Sequence, residues 1–269
     1  MSATAPSPAR GALAQYFRIA GHFAARELRE RFLGSISGAA WALLAPVLQL
    51  LVLLLVFGII LKVRLPEADP RAFLPFLVAG LWPWVAFSEA LMRGMGAIVE
   101  RAALISKVAM PRSALVLAPV LASFALHGAG FVAVMLVVAA LGYPVSLAGL
   151  LWAIPYWLLL AGFAFGLALV VATIRVFVPD TAHVVPQVTA LWFYLTPIFY
   201  PITIIPARLR GAVEANPVTA YASLFRNALT GEAVDVASAL AVASIAAIAA
   251  LALGGFMFAR ASRHFEDFL

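Results

Sequence analysis

The amino-acid sequence predicts an all-α, polytopic membrane protein with six transmembrane helices, and three features carry that prediction. Hydrophobic residues fill 65% of the 269 positions and charged residues only 11%, against roughly 45–50% and about 25% in soluble domains. The apolar residues arrive in blocks of roughly 20, the length a helix needs to cross about 30 Å of hydrocarbon. The arginines fall mostly in short segments between those blocks, where they set topology.

The net charge of +6 does not point to nucleic acid, because no basic run with interleaved aromatics is present. Cysteine is absent, which excludes disulfides, zinc–thiolate sites and cysteine nucleophiles. The first twelve residues are small, polar and Pro-containing, and the segment after them is too charged for the apolar core of a cleavable signal peptide. The N-terminus is therefore expected to be retained, and the whole chain, 1–269, to form a single transmembrane domain.

In chain order, residues 13–33 set Leu13, Phe17, Ile19, Ala20, Phe23, Ala24, Leu28 and Phe32 beside Arg18, Arg26, Glu27, Arg29, Glu30 and Arg31. Such an amphipathic helix either lies at the membrane surface or packs on the protein's own cytoplasmic side, and the two are compatible. A Gly/Ser-rich break at 34–38 precedes spans at about Ala39–Leu61, Phe73–Met95, Ala114–Leu141, Leu147–Ile174, Val184–Tyr200 and Val236–Phe258. Residues 201–235, with Pro201, Pro206 and Pro217, are too broken to span and too apolar for an ordinary loop. Short re-entrant or interfacial helices fit them, provided protein or a water-filled cavity covers the irregular backbone.

The lysines and arginines test this layout. With the N-terminus inside, Arg10, Arg18, Arg26, Arg29, Arg31, Arg93, Arg101, Lys107, Arg112, Arg175, Arg260 and Arg263 are cytoplasmic, twelve in all, against six (Lys62, Arg64, Arg71, Arg208, Arg210, Arg226) on the far side. The positive-inside rule then puts both termini in the cytoplasm. No internal repeat or matching pair of broken spans marks an inverted-repeat secondary carrier.

The chemistry the chain lacks is equally informative. A P-loop needs Gly-Lys-Ser/Thr, but Leu61 precedes Lys62 and Ser106 precedes Lys107, the only lysines. The four histidines have no metal-ligand spacing, and carboxylates within the spans are nearly limited to Glu89, so no metal site, cofactor or catalytic set is expected. Glu89 and Arg93 are spaced i, i+4 for pairing on one helix face, and His127 reads as a hydrogen-bonding contact between helices. Residues 98–113 combine Glu100, Arg101, Lys107 and Arg112 with an apolar seam of Leu104, Ile105, Val108 and Met110, which describes either a short amphipathic cytoplasmic helix stopped at Pro111 or an anchored loop. Trp82, Trp84, Phe87, Trp192, Phe193, Tyr194, Phe199 and Tyr200 either form interfacial belts or face a pathway whose flat rings stack on sugars.

The order and spacing of these segments resemble the permease subunits of ABC exporters for bacterial cell-surface polysaccharides. The resemblance covers nearly the whole chain. It is carried by the basic N-terminal helix followed by LGSISGAAWALLAPVLQL, and by VAGLWPWVAFSEAL, LISKVAMPRSALVLAPV, LWFYLTPIFYPITIIP, Asn216-Pro217 and the closing FEDFL. It implies an inner-membrane homodimer seated on two copies of an ABC ATPase that binds the ATP and Mg, with lipid-linked O antigen or capsule passing between the two permease copies. It further implies an interface helix bearing Arg18, Arg26, Arg29 and Arg31, and an outer gate at 201–235. ATPase contact falls within a coupling helix at 98–113 (Glu100, Arg101, Leu104, Ser106, Lys107, Arg112) and at Asp180. A substrate path would draw on Trp82, Trp84, Phe87, Trp192, Tyr194, Phe199 and Tyr200. The family often carries an Arg-Asp pair before the fifth span where this chain has Pro179-Asp180, with Arg175 upstream. The alternatives are an intramembrane enzyme acting on lipid-linked sugars, disfavoured by the scarcity of paired carboxylates and histidines, and a secondary carrier.

Overall fold

A computed structural model describes residues 8–33, 38–63, 65, 70–105 and 110–269, and the described residues form helices and no strands. In order these are α1 (Pro8–Leu33), α2 (Gly38–Leu53) running directly into a π-helical segment (Leu54–Ile60), and α3 (Phe73–Gly96). A 3-10 turn (Val99–Arg101) leads into α4 (Ala102–Ile105), followed by α5 (Arg112–Ala140), α6 (Gly149–Phe177) and α7 (Thr181–Leu195). The short helices α8 (Ala207–Glu214) and α9 (Pro217–Thr230) precede α10 (Val236–Ala261) and a closing 3-10 segment (Ser262–Asp267).

Five stretches among the described residues are long and apolar enough to cross a membrane: Leu43–Ile60, Phe73–Gly96, Arg112–Ala140, Gly149–Phe177 and Val236–Asp267. The expected fifth span differs. Its helix, α7, has 15 residues, about 22 Å at roughly 1.5 Å per residue. Thr196 leaves the helix at φ −99°, ψ 134° because it precedes Pro197, whose ring disfavours helical backbone in the residue before it. Residues 196–201 continue as irregular chain with paired polar groups: the Ile198 amide donates to the Thr196 carbonyl at 2.7 Å, and Arg226 reaches the Ile198 carbonyl at 2.7 Å.

Helix α3 is the centre of the bundle, packed by α5, α6, α9, α7 and α2. Its Phe76, Leu77, Trp82 and Phe87 are fully buried, and the Trp82 indole meets its polar requirement by donating to the His127 carbonyl at 2.9 Å. Helix α1 packs on the protein itself, as one of the two readings of its amphipathic sequence requires. Ala20 and Ala24 pack on Ala114, Leu117, Ala118 and Ala122 of α5, and the alanines on both sides let the two helices approach closely. Leu13 and Phe17 on another face stay 59% and 54% exposed.

The loops segregate to two ends. At one, Arg71 reaches the Gly142 carbonyl at 3.5 Å and the Ser146 amide donates to the Leu229 carbonyl at 2.8 Å. At the other, Arg101 pairs with Glu27 of α1 at 2.5 Å, Arg112 pairs with Glu266 of the C-terminal segment, and Phe177 packs on Phe265 and Phe268.

Helices α6 and α10 cross through Gly166 and Gly254: a Cβ on Gly166 would run into the Ala250–Leu251 backbone, and one on Gly254 into the Gly166 carbonyl. Gly255, one residue along, faces open space. Gly166→Leu is therefore expected to destabilise the protein by about 1–3 kcal/mol through overpacking, read as a lower thermal midpoint in detergent, while Gly255→Leu leaves the midpoint unchanged.

Candidate functional site

At the end that holds both α1 and the C-terminal segment, a junction of charges joins α1, α3 and α5. Its hub is Glu89, 23% exposed, one turn before Arg93 on α3. Its carboxylate pairs with Arg31 of α1 at 2.8 Å, with Arg93 at 2.8 Å and with His127 Nε2 of α5 at 2.6 Å. Ser123 donates to it at 3.3 Å and accepts from Arg31 at 3.0 Å. A second carboxylate, Glu27, receives Arg93 at 3.2 Å and Arg101 at 2.5 Å. An unbroken line of ion pairs thus runs from inside α3 and α5, through α1, to the segment after α3. The Glu89–Arg93 pair follows from helical spacing and His127 bonds between helices, whereas Glu27 and Ser123 carry no comparable sequence signal.

Of the four arginines assigned to the interface helix, Arg18, Arg26 and Arg29 are exposed. Arg31 turns inward instead, its side chain 6% exposed, because Glu89 offers the opposite charge.

The segment 98–113 is not one continuous helix among its described residues. It comprises the turn Val99–Arg101, the four-residue α4, and an extended Met110-Pro111 that caps α5. Glu100 is exposed, Arg101 is held by Glu27, and Arg112 is the first residue of α5, bonded to the Ser262 carbonyl and to Glu266. The Leu104 side chain, Ser106 and Lys107 lie outside the described residues. Asp180 is exposed in the turn between α6 and α7. Arg26, Glu27, Glu30, Glu100 and Arg101 line a charged groove of about 400 Å³ between α1 and the segment after α3.

The aromatic residues divide by burial. Trp82 and Phe87 are completely covered within the protomer, and Trp84 and Phe199 nearly so. Trp84 lies edge-on to Trp192 at 6.2 Å and beside Phe193 at 5.7 Å. Trp192 and Tyr200 are half-buried. Tyr194 is 65% exposed, on an apolar face of α7 shared with Val184, Val188 and Leu191.

Beyond α7 the chain is tied back by two residues whose roles sequence reasoning did not assign. Asn216 caps α9 by accepting from the Val218 amide at 3.1 Å, with Pro217 in the first turn where its missing N–H costs nothing. The same side chain accepts from the Trp192 indole and donates to Thr196, both at 2.9 Å. Arg226 of α9 is buried with its guanidinium 3.4 Å from the Phe76 ring centre, and it donates to the Phe76 carbonyl at 3.3 Å. Gly80 makes room for it, since a Cβ there would lie 2.7 Å from the guanidinium. An arginine as the only charged residue of α9 is the signal that marks such a residue. Burial raises the pKa of Glu232 in the following loop, against the opposing pull of Arg226.

Because removing one partner of a buried ion pair strands the other charges, Glu89→Ala is expected to cost about 3–5 kcal/mol and to lower both thermal midpoint and membrane abundance. Arg93→Ala, which removes a side chain 41% exposed, is expected to cost under about 1 kcal/mol in the same measurement.

Three relatives place the chain. It is 31% identical over 215 residues to the O-antigen export system permease protein RfbA of Myxococcus xanthus, covering 74% of this chain and 77% of that protein. It is 27% identical over 213 residues to the RfbA of Klebsiella pneumoniae, covering 75% and 78%. To the polysialic acid transport protein KpsM of Escherichia coli it is 28% identical over 204 residues, covering 76% and 78%. Residues 21–230, which run from within α1 through the end of α9, match the ABC-2 type transporter family, and the chain belongs to that family.

Proposed function

We propose that this chain is the membrane-spanning subunit of an ATP-driven exporter that carries lipid-linked polysaccharide, O antigen or capsule, across the bacterial inner membrane. The carrying observation is the match, over most of both chains, to permeases named for O-antigen export and polysialic acid transport. The absence of a P-loop fits a chain whose energy comes from a separate ABC ATPase, which holds the ATP and Mg.

The reading includes six crossings with both termini cytoplasmic. Parity supports the count: α1 contacts the connection between α3 and α5 and the C-terminal segment contacts the first residue of α5, so they share a side, and an even number of crossings requires α7 with residues 196–201 to complete one. The excess of lysine and arginine on that side makes it the cytoplasmic one.

On this side the ATPase contacts Glu100, Arg101, Leu104, Ser106, Lys107, Arg112 and Asp180. Motion imposed there has a physical connection inward through the Glu27 and Glu89 ion pairs. A second copy of the chain completes the translocation path against the exposed apolar faces of α2 and α7, where Tyr194, with Trp192 and Tyr200 behind it, presents ring surface for sugar stacking without the firm hold of charges. Trp84, Phe87 and Phe199 support those rings from within the same chain, and Trp82 anchors α3 to α5 behind them.

Deletion of the gene is expected to remove the polymer from the cell surface and accumulate its lipid-linked form on the cytoplasmic side, with wild-type protein restoring export. The Glu100→Lys/Asp180→Lys double variant is expected to reach the membrane at normal abundance, yet to lose ATPase copurification and surface polymer. Unchanged surface polymer in the deletion strain overturns the function. Undiminished copurification with the double variant moves the ATPase contact elsewhere.

A further inference from the structure

At the end opposite the charged junction, a cavity of about 290 Å³ lies between the irregular chain after α7, the end of α8, helix α9 and the start of α10. Its volume sits at the lower edge of the roughly 300–1,000 Å³ typical of small-molecule sites. Its polar wall includes Glu214, Thr219, Ser223, Arg226, Glu232 and Asp235.

Two of these groups lack what a folded protein normally provides. Thr219 is 2% exposed, and its hydroxyl has no hydrogen-bond partner in the protein. The Glu232 Oε2 is buried and equally unpartnered. Buried polar atoms are nearly always paired, so each such exception calls for an explanation. Neither results from a shortage of nearby polar groups. Arg226, on the same wall, spends its bonds on the Ile198 and Phe76 carbonyls, and Asp235 accepts from the Ser238 amide at 3.2 Å.

The lining also selects the chemistry of a ligand. Three carboxylates face one guanidinium, which disfavours phosphate and other anions. Among the described residues no group of three acidic or histidine side chains is arranged to hold a metal ion. What remains is a neutral molecule rich in hydroxyls, whose O–H groups donate to a carboxylate and exchange hydrogen bonds with a threonine. We propose that this cavity binds a single neutral sugar ring, with Glu232 accepting from one hydroxyl and Thr219 bonding another. Because its walls come from α9 on one side and α10 on the other, an occupied cavity couples the helix that Arg226 fixes to α3 with the last span. The proposal rests on the glycan-export reading for the origin of the sugar, while the binding itself is tested on the purified chain.

The full-length protein in nanodiscs is titrated with glucose, galactose, mannose, N-acetylglucosamine and, as an anionic counterpart, galacturonic acid, and binding is read by saturation-transfer NMR. At least one neutral sugar is expected to bind and galacturonic acid is not. Thr219→Val and Glu232→Gln are each expected to weaken binding by roughly tenfold, the scale of one hydrogen bond to a buried group. Thr219→Ser, which keeps the hydroxyl, restores it. Thermal midpoints of the variants within the wild-type range show that the fold is retained. No binding by any neutral sugar, binding that both variants leave intact, or equal binding of galacturonic acid overturns the proposal. These results leave the deletion phenotype untouched, so a strain that still needs this gene for export separates failure of the cavity from failure of the function.

Discussion

Inside hydrocarbon no water is present to pair with a polar group, so every buried charge must be met by the protein itself. That constraint organises this molecule around α3. Glu89 near one end of α3 holds Arg31 and His127, and Phe76 near the other end accepts Arg226 both through its ring and through its carbonyl. The Arg31 and Arg226 contacts join α3 to helices that do not themselves span, α1 and α9, while His127 joins it to the neighbouring span α5. The central span therefore serves as the common support for the surface helix and for the broken region before α10.

The two ends are held by different means. Ion pairs dominate around α1, where Glu27 links Arg93 to Arg101 and the C-terminal segment is drawn in by Arg112 and by the packing of Phe265. Around α9 the links are hydrogen bonds, some between side chains and some to backbone carbonyls. Asn216 ties Trp192 and Thr196 to the helix start, and Tyr221 donates to the Ala243 carbonyl of α10 at 2.9 Å. Bonds between neutral groups, net about 0.5–1.5 kcal/mol each, are weaker individually than a desolvated ion-pair network.

Much of this was legible in the sequence, because block length and composition are what the membrane constrains. The second, third, fourth and last spans begin and end within a few residues of their apolar limits. The expected fifth span runs past Leu195 because Ile198, Phe199 and Tyr200 continue the apolar run, although the local rule that Pro197 imposes on Thr196 was present in the letters. The charges and apolar seam of 98–113 fit a short amphipathic helix stopped at Pro111 and an anchored loop alike, because spacing serves both; Pro111 begins α5 as its cap. Among the arginines of α1 the sequence offers no way to single out Arg31, since what turns it inward is a carboxylate on a different helix. Arg226 is intermediate: its side of the membrane follows from the charge tally, but its seat depends on the missing side chain of Gly80, far away in sequence.

The central claim is that this chain moves a lipid-linked glycan only when a separate ATPase drives it. The most direct measurement uses inside-out membrane vesicles containing this protein with its ATPase partner, loaded on the outer leaflet with lipid-linked polymer. ATP is expected to carry the polymer into the lumen, where an added glycosidase no longer reaches it, and omitting either subunit is expected to abolish that protection. Protection that develops with this chain alone, or without ATP hydrolysis, would contradict the account.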